Sequence, residues 1–246
     1  MTRFRKGILL AFCFLVIFSA FFAAIRNVSS GVPATAGPME LPVIIIDPGH
    51  GGVDGGAVGV GEVVEEHINL AISLTMRDIF VLNGFEVVMT REEDVSIHDE
   101  GVTGTRNQKT SDLRNRLAIT KEYPNAIFIS IHQNKFGISA SRGLQVFYGS
   151  NHAGSKTLAD IVQQNTVDMI QPDNERETKK GGSNLFLIHR AECPAILVEC
   201  GFLSNAKDAE LLQDETFQAQ LGFLILRSVT EYLGLGSTVF MPERVV

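Results

Sequence analysis

Beyond residue 40 the chain alternates short apolar, β-branched runs with stretches whose apolar residues recur at helical spacing. Pro42–Asp47 (PVIIID) reads as a buried strand. Glu65–Leu82 carries apolar residues at helical spacing, Ile68, Leu70, Ile72, Leu74, Met76, Ile79, Phe80 and Leu82, and Asn83-Gly84 stops it. Phe85–Thr90 predicts a second strand, and the polar, Gly-containing stretch Ser96–Thr110 a loop. Ser111-Asp112 then cap a helix to about Glu122, ahead of Pro124. Strands follow at Ala126–His132 and Gly143–Tyr148, with a helix at Ala153–Ile170. Gln171–Ser183 is a polar loop, Leu185–Ile188 a short strand and Ala195–Cys200 (AILVEC) a strong one. Ala206–Leu233 has helical periodicity, as a short helix and then a long one. This order predicts an α/β fold of three layers, a mainly parallel sheet with helices on both faces.

The start of the chain follows another pattern. Arg3, Arg5 and Lys6 precede an uncharged run, Gly7–Ile25, long enough to span a bilayer. The basic residues place the N-terminus inside and the body outside. Two readings stand: an uncleaved membrane anchor, or a signal peptide cut near Ala34-Thr35-Ala36. Either makes the body an exported, extracytoplasmic domain. The expected layout is a signal or anchor segment at 1–26, a small polar linker at 27–40, the catalytic domain at 41–234 and a tail at 235–246.

Composition narrows the function classes. The first 26 residues hold four basic and no acidic side chains, which leaves 17 basic against 28 acidic in the remainder. A body this acidic argues against binding nucleic acid through its phosphates. Cys193 and Cys200 lie seven residues apart along one expected strand, too far for a disulfide. Both are expected as small buried hydrophobes.

Candidate chemistry gathers at strand ends, where open α/β sheets bind their ligands. The first strand runs into Asp47-Pro48-Gly49-His50-Gly51-Gly52, the third into His132-Gln133-Asn134 and the late one into Glu199-Cys200-Gly201. Glu65 opens the first helix after a glycine-rich loop that lacks both G-x-G-x-x-G and G-K-[ST]. His50, Glu65 and His132 fit a catalytic-type zinc set, three protein ligands with a position left open. Glu199 is placed as a general base. Asp47 is read as a cap of its turn or as an acceptor orienting a zinc histidine. His67 is expected on another face of the helix, and His98 and His152 in solvated loops. The His189-Arg190 pair is a candidate substrate contact. Arg91, Arg114 and Arg116 are read as packing or ion-pair residues at least as readily as substrate contacts.

DPGHGG, the Glu65 block EEHINLA, MTR followed by Asp94, SIHQN and CPAILVECGFLSN together resemble the zinc-dependent N-acetylmuramoyl-L-alanine amidases of the Amidase_3 type. The resemblance spans about residues 42–233. It implies a twisted, mostly parallel six-stranded sheet, one zinc ion held by His50, Glu65 and His132, and a catalytic Glu199. It implies hydrolysis of the amide between N-acetylmuramic acid and L-alanine in peptidoglycan. Two positions depart from the family pattern. Glu66-His67 follows Glu65 where lysine is usual, and Gln133 replaces a small residue after the second histidine. The spacing to Asn69-Leu70 keeps Glu65 as the ligand. The loop Ser96–Ser111 and the single-domain layout are most similar to the germination-specific amidases of spore cortex. Those strip peptides from muramic acid ahead of muramic-δ-lactam formation. Another zinc peptidoglycan hydrolase, such as a peptidase, is the alternative, and a non-catalytic wall-binding protein is another. With no wall-binding module of its own, the body is also a candidate for an activating partner protein.

Overall fold

The computed structural model describes residues 40–236. The expected N-terminal segment and its basic residues lie outside the described residues, as does the tail from 237. No helix among the described residues is long and apolar enough to cross a membrane.

Six strands form one sheet in the order β2-β1-β3-β6-β4-β5. They are β1 (Ile44–Pro48), β2 (Val87–Met89), β3 (Ile127–Asn134), β4 (Gln145–Tyr148), β5 (Lys179–Lys180) and β6 (Ala195–Phe202). The first three and β6 run parallel, whereas β4 pairs antiparallel to β6 and carries β5 parallel to itself. The expected mostly parallel six-stranded sheet is therefore present, with one reversed edge.

Side-chain alternation sorts two cores. Ile44 and Ile46 of β1, Ile127, Ile129 and Ile131 of β3, and Ile196 and Val198 of β6 face one side. There they meet α1 (Glu65–Leu82), α3 (Gly154–Met169) and α6 (Glu215–Tyr232). Ile45, Phe128, Ala195 and Leu197 face the other side, against Leu113 and Leu117 of α2 (Thr105–Glu122) and Leu187 and Ile188 of α4 (Phe186–Arg190). The layers are helix, sheet, helix. Cys193 and Cys200 are buried free thiols in opposite cores, so no disulfide joins them.

Three boundaries differ from the sequence reading. The helix expected from Ser111 begins six residues earlier, at Thr105. Its first turns are polar and exposed, so no apolar period marks them. Ser111 and Asp112 instead tie down the preceding loop, accepting from the backbone N–H groups of Asp99 and Ile97. Leu185–Ile188 is not a strand. It leads into α4, because a four-residue apolar run fits either state and tertiary burial of Leu187 and Ile188 decides. The polar loop after α3 contributes the two-residue edge strand β5. The late helical region divides as expected, into α5 (Ala206–Leu211) and α6, with Asn205 and Asp214 capping them.

Candidate active site

Alternation and register build the site. Even-numbered His132 on β3 and odd-numbered Glu199 on β6 share the sheet face of Phe128 and Leu197, and the two residues stand in direct register on neighbouring strands. His50 comes from the turn after β1 and Glu65 from the first residue of α1. Sequence positions 50, 65, 132 and 199 thus line one cleft of about 410 Å³ at the carboxyl ends of the parallel strands.

Three of these converge. Glu65 Oε1 lies 3.2 Å from His50 Nε2 and 3.1 Å from His132 Nδ1. The two imidazoles meet edge to face with centroids 4.9 Å apart. One ligand atom from each of the three residues lies within 4.8 Å of the others. Two imidazole nitrogens and a carboxylate oxygen are the donor set of a catalytic zinc centre. The set fits such an ion by the chemistry of its donors and by their convergence from three separate elements.

The backbone is bent to deliver them. His50 sits at φ 63°, a left-handed conformation costly for a side chain and held only where the surroundings fix it. Gly49 is required by close approach: a Cβ there would stand 2.3 Å from the His132 ring. We expect Gly49→Ala to displace His132 and lower zinc content, measured by metal analysis of the purified variant. Wild-type zinc content would mean that the turn yields more easily than this geometry allows.

Electrostatics separates the two carboxyl roles. Burial works against ionisation of Glu65, but His132 and His50 outweigh it and hold its carboxyl well below the usual range. Backbone N–H groups of Ala57 and Gln133 donate to it at 2.9 and 3.1 Å. Glu199 is the reverse case. Burial pushes its carboxyl up to about 7, and its Oε2 is buried with no hydrogen-bond partner. A carboxyl poised near neutrality and free to exchange a proton suits a general base and acid. Burial also weighs on His50, yet hydrogen bonds to Asp54 and Glu65 raise it to about 9.

The sequence reading missed the support around these groups. Asp54, four residues past His50, accepts from or bonds its Nδ1 at 2.9 Å and is itself paired with Lys109 at 2.7 Å. That is the orienting role considered for Asp47. Asp47 instead lies fully buried and accepts from Thr90, Ser130 and Arg116, touching neither histidine. A carboxylate four residues after a loop histidine was the available signal. Buried Asn69 donates to the Gly49 carbonyl at 3.1 Å and accepts from Gln133 Nε2 at 3.1 Å, which ties the helix to the turn that carries His50 and to the strand that carries His132.

Of the arginines, Arg91 and Arg116 are buried and donate to the carbonyls of Pro48, Gly49 and His50, whereas Arg114 is exposed. Both buried arginines hold the turn; Arg116 also lines the cleft, whereas Arg91 does not. His189 and Arg190 lie outside the cleft lining, which takes Asn184–Ile188 from that segment. His67 is exposed, as expected. His98 bonds Ser96 and Gln108, and His152 accepts from the Gly154 N–H, so neither is simply solvated.

Comparison with known proteins agrees with this fold. A germination-specific N-acetylmuramoyl-L-alanine amidase of Bacillus subtilis is 32% identical over 89% of this chain and 91% of its own length. The CwlD amidase of Clostridioides difficile, solved in complex with the GerS lipoprotein, superposes with a TM-score of 0.75 at 36% identity, covering 79% of this chain and 100% of that one. The catalytic domain of CwlV, an N-acetylmuramoyl-L-alanine amidase from Bacillus (Paenibacillus) polymyxa, gives 0.64 at 32% identity, over 79% of this chain and 99% of that one. The family model described as N-acetylmuramoyl-L-alanine amidase matches residues 44–231, from β1 to the end of α6, and the chain belongs to that family of peptidoglycan amidases, the Amidase_3 type.

Proposed function

We propose that this amidase is zinc-dependent, that His50, Glu65 and His132 hold the ion, and that Glu199 is its catalytic acid–base residue. The observation that carries the reading is the meeting of the three ligand-type atoms at one point, with Glu199 in register beside His132. A zinc ion held there would supply Lewis acidity for the amide carbonyl and for an attacking water. Glu199 takes the proton from the attacking water at its unpartnered Oε2, then delivers it to the departing L-alanine nitrogen. Asp54 fixes the His50 ring through Nδ1, and the Ala57 and Gln133 N–H groups fix Glu65. Leu185–Ile188 form an apolar wall on one side of the cleft. No covalent intermediate is required.

Because the base must be ionised, kcat/KM falls on the acid side, with an apparent pKa no higher than about 7. A pH profile checks this, and the limb is absent from the residual activity of Glu199→Gln. Metal content tests the ligands. His132→Ala loses the zinc that sits in this cleft, and full retention removes His132 from the set.

The substrate class follows from the family, and the biological setting from the relatives. We place the enzyme in spore cortex, outside the membrane, removing stem peptides ahead of muramic-δ-lactam formation. The body spans 41–234, delivered by an N-terminal signal or anchor. Support comes from the germination-specific relative and from the CwlD amidase structure. That structure contains a lipoprotein, which favours a partner protein for this chain as well. Muropeptide analysis of cortex from a strain lacking the gene tests the setting. Loss of muramic-δ-lactam, restored by the wild-type chain and not by Glu199→Gln, is the expected result; unchanged δ-lactam would place the enzyme elsewhere.

A further inference from the structure

A second cluster of ligand-type side chains stands beside the first. Glu66 and His67 occupy the first turn of α1, directly after Glu65. Side chains one residue apart diverge around a helix and do not ordinarily meet. Here Glu66 Oε1 and His67 Nε2 lie 2.7 Å apart. Asp94, on the loop after β2, brings a second carboxylate to the same place, and one ligand atom from each of the three lies within 4.8 Å of the others.

A separate observation points to a missing partner. The Glu66 side chain is only 4% exposed, and its Oε2 is buried with no hydrogen-bond partner. The nearest cation is the Arg91 guanidinium, 4.0 Å away. That group already donates to the carbonyls of Pro48, Gly49, Glu66 and Glu93. A buried carboxylate oxygen without a donor is costly, more so with another carboxylate beside it.

We propose that Glu66, His67 and Asp94 form a second binding site, for a divalent transition-metal cation, separate from the centre at His50, Glu65 and His132. One imidazole and two carboxylates make a mixed nitrogen–oxygen donor set suited to zinc and its neighbours. His67 and Asp94 are exposed, so the outward coordination positions belong to water. The position of the site gives its role. Asp94 Oδ1 also accepts from the Gly52 N–H at 2.6 Å. An ion here therefore ties the first turn of α1, which carries Glu65, to the β2 loop and to the turn that carries His50. It is a structural clamp and touches no reacting atom.

Metal stoichiometry tests the site. The full chain is stripped by a chelator, re-equilibrated with zinc alone and analysed by elemental mass spectrometry. Two zinc ions per chain are expected for the wild type and one for His67→Ala, a surface substitution that leaves the fold intact. His132→Ala also retains one, and the double variant none. One zinc in the wild type, with none left in His132→Ala, would overturn the proposal while sparing the first site. Unchanged zinc in His67→Ala would overturn it too. Full zinc in His132→Ala together with loss in His67→Ala would spare this site and remove the first. The clamp role adds an independent readout: zinc raises the Tm of His132→Ala but not of the double variant.

Discussion

Glu199→Gln will retain zinc and fold as the wild type, yet lose amidase activity by about 10²–10⁴-fold, the usual contribution of a positioned acid–base group. The substitution keeps the size and the buried environment of the side chain. What it removes is the ability to take a proton and return it. In the wild type, burial holds the carboxyl up to about 7, so the group can do both near neutral pH. Because the Oε2 atom has no hydrogen-bond partner, the amide loses no structural contact there. A stability change is therefore not expected, and equal Tm values with unequal kcat would isolate the chemical role. Wild-type turnover in this variant would remove Glu199 from the mechanism.

Arg116→Met will give the largest loss of stability. Arg116 is 2% exposed and spans from α2 to the strand ends. It donates to Asp47 Oδ1 and the Pro48 carbonyl at 2.8 Å, to His50 O at 2.7 Å and to Asp112 at 2.7 Å. Removing it strands a fully buried Asp47 charge and unpairs the His50 carbonyl, while the Pro48 carbonyl keeps its bond from Arg91. Breaking a buried pair of this kind costs about 3–5 kcal/mol. Urea unfolding measures it, and Arg116→Met combined with Asp47→Asn should recover part of the loss. Arg116→Lys should recover little, since one ammonium cannot make the forked set of bonds. The sign with pH follows from Asp47. Burial alone would raise its carboxyl, but Arg116, Ser130 and Thr90 win and hold it below 3.8. Its contribution is thus complete above the ordinary carboxylate range and is lost as pH falls through the depressed value, so the variant loses its acid sensitivity together with its stability. A cost near zero would show that the Thr90 and Ser130 hydroxyls suffice for Asp47.

The pair of effects marks how far the residues alone could be read. Runs such as Ile44–Ile46 and Ala195–Val198 announce buried strands because both faces of a parallel sheet are covered. The same two-residue alternation places His132 and Glu199 on one face, so their meeting was legible from the strand ends. The reversed edge was not, because strand direction depends on how the chain returns and not on the composition of Gln145–Tyr148. The early start of α2 was hidden by a polar, solvent-facing first turn. Asp54 escaped notice although it stands four residues past His50, because only the bent turn aims its carboxylate at Nδ1, and its partner Lys109 comes from α2, far along the chain. The departure at Glu66-His67 was visible in the sequence, while its meeting with Asp94 required the fold.

The most direct test of the zinc amidase is the identity of the bond it cuts. Purified peptidoglycan is digested with the full chain and zinc, then with the chelated chain, and the products are read by mass spectrometry. Free stem peptides beginning at L-alanine, with intact glycan strands, lost on chelation and restored by zinc, are the predicted result. Cleavage within the stem peptide, or amide cleavage indifferent to chelation, would contradict it.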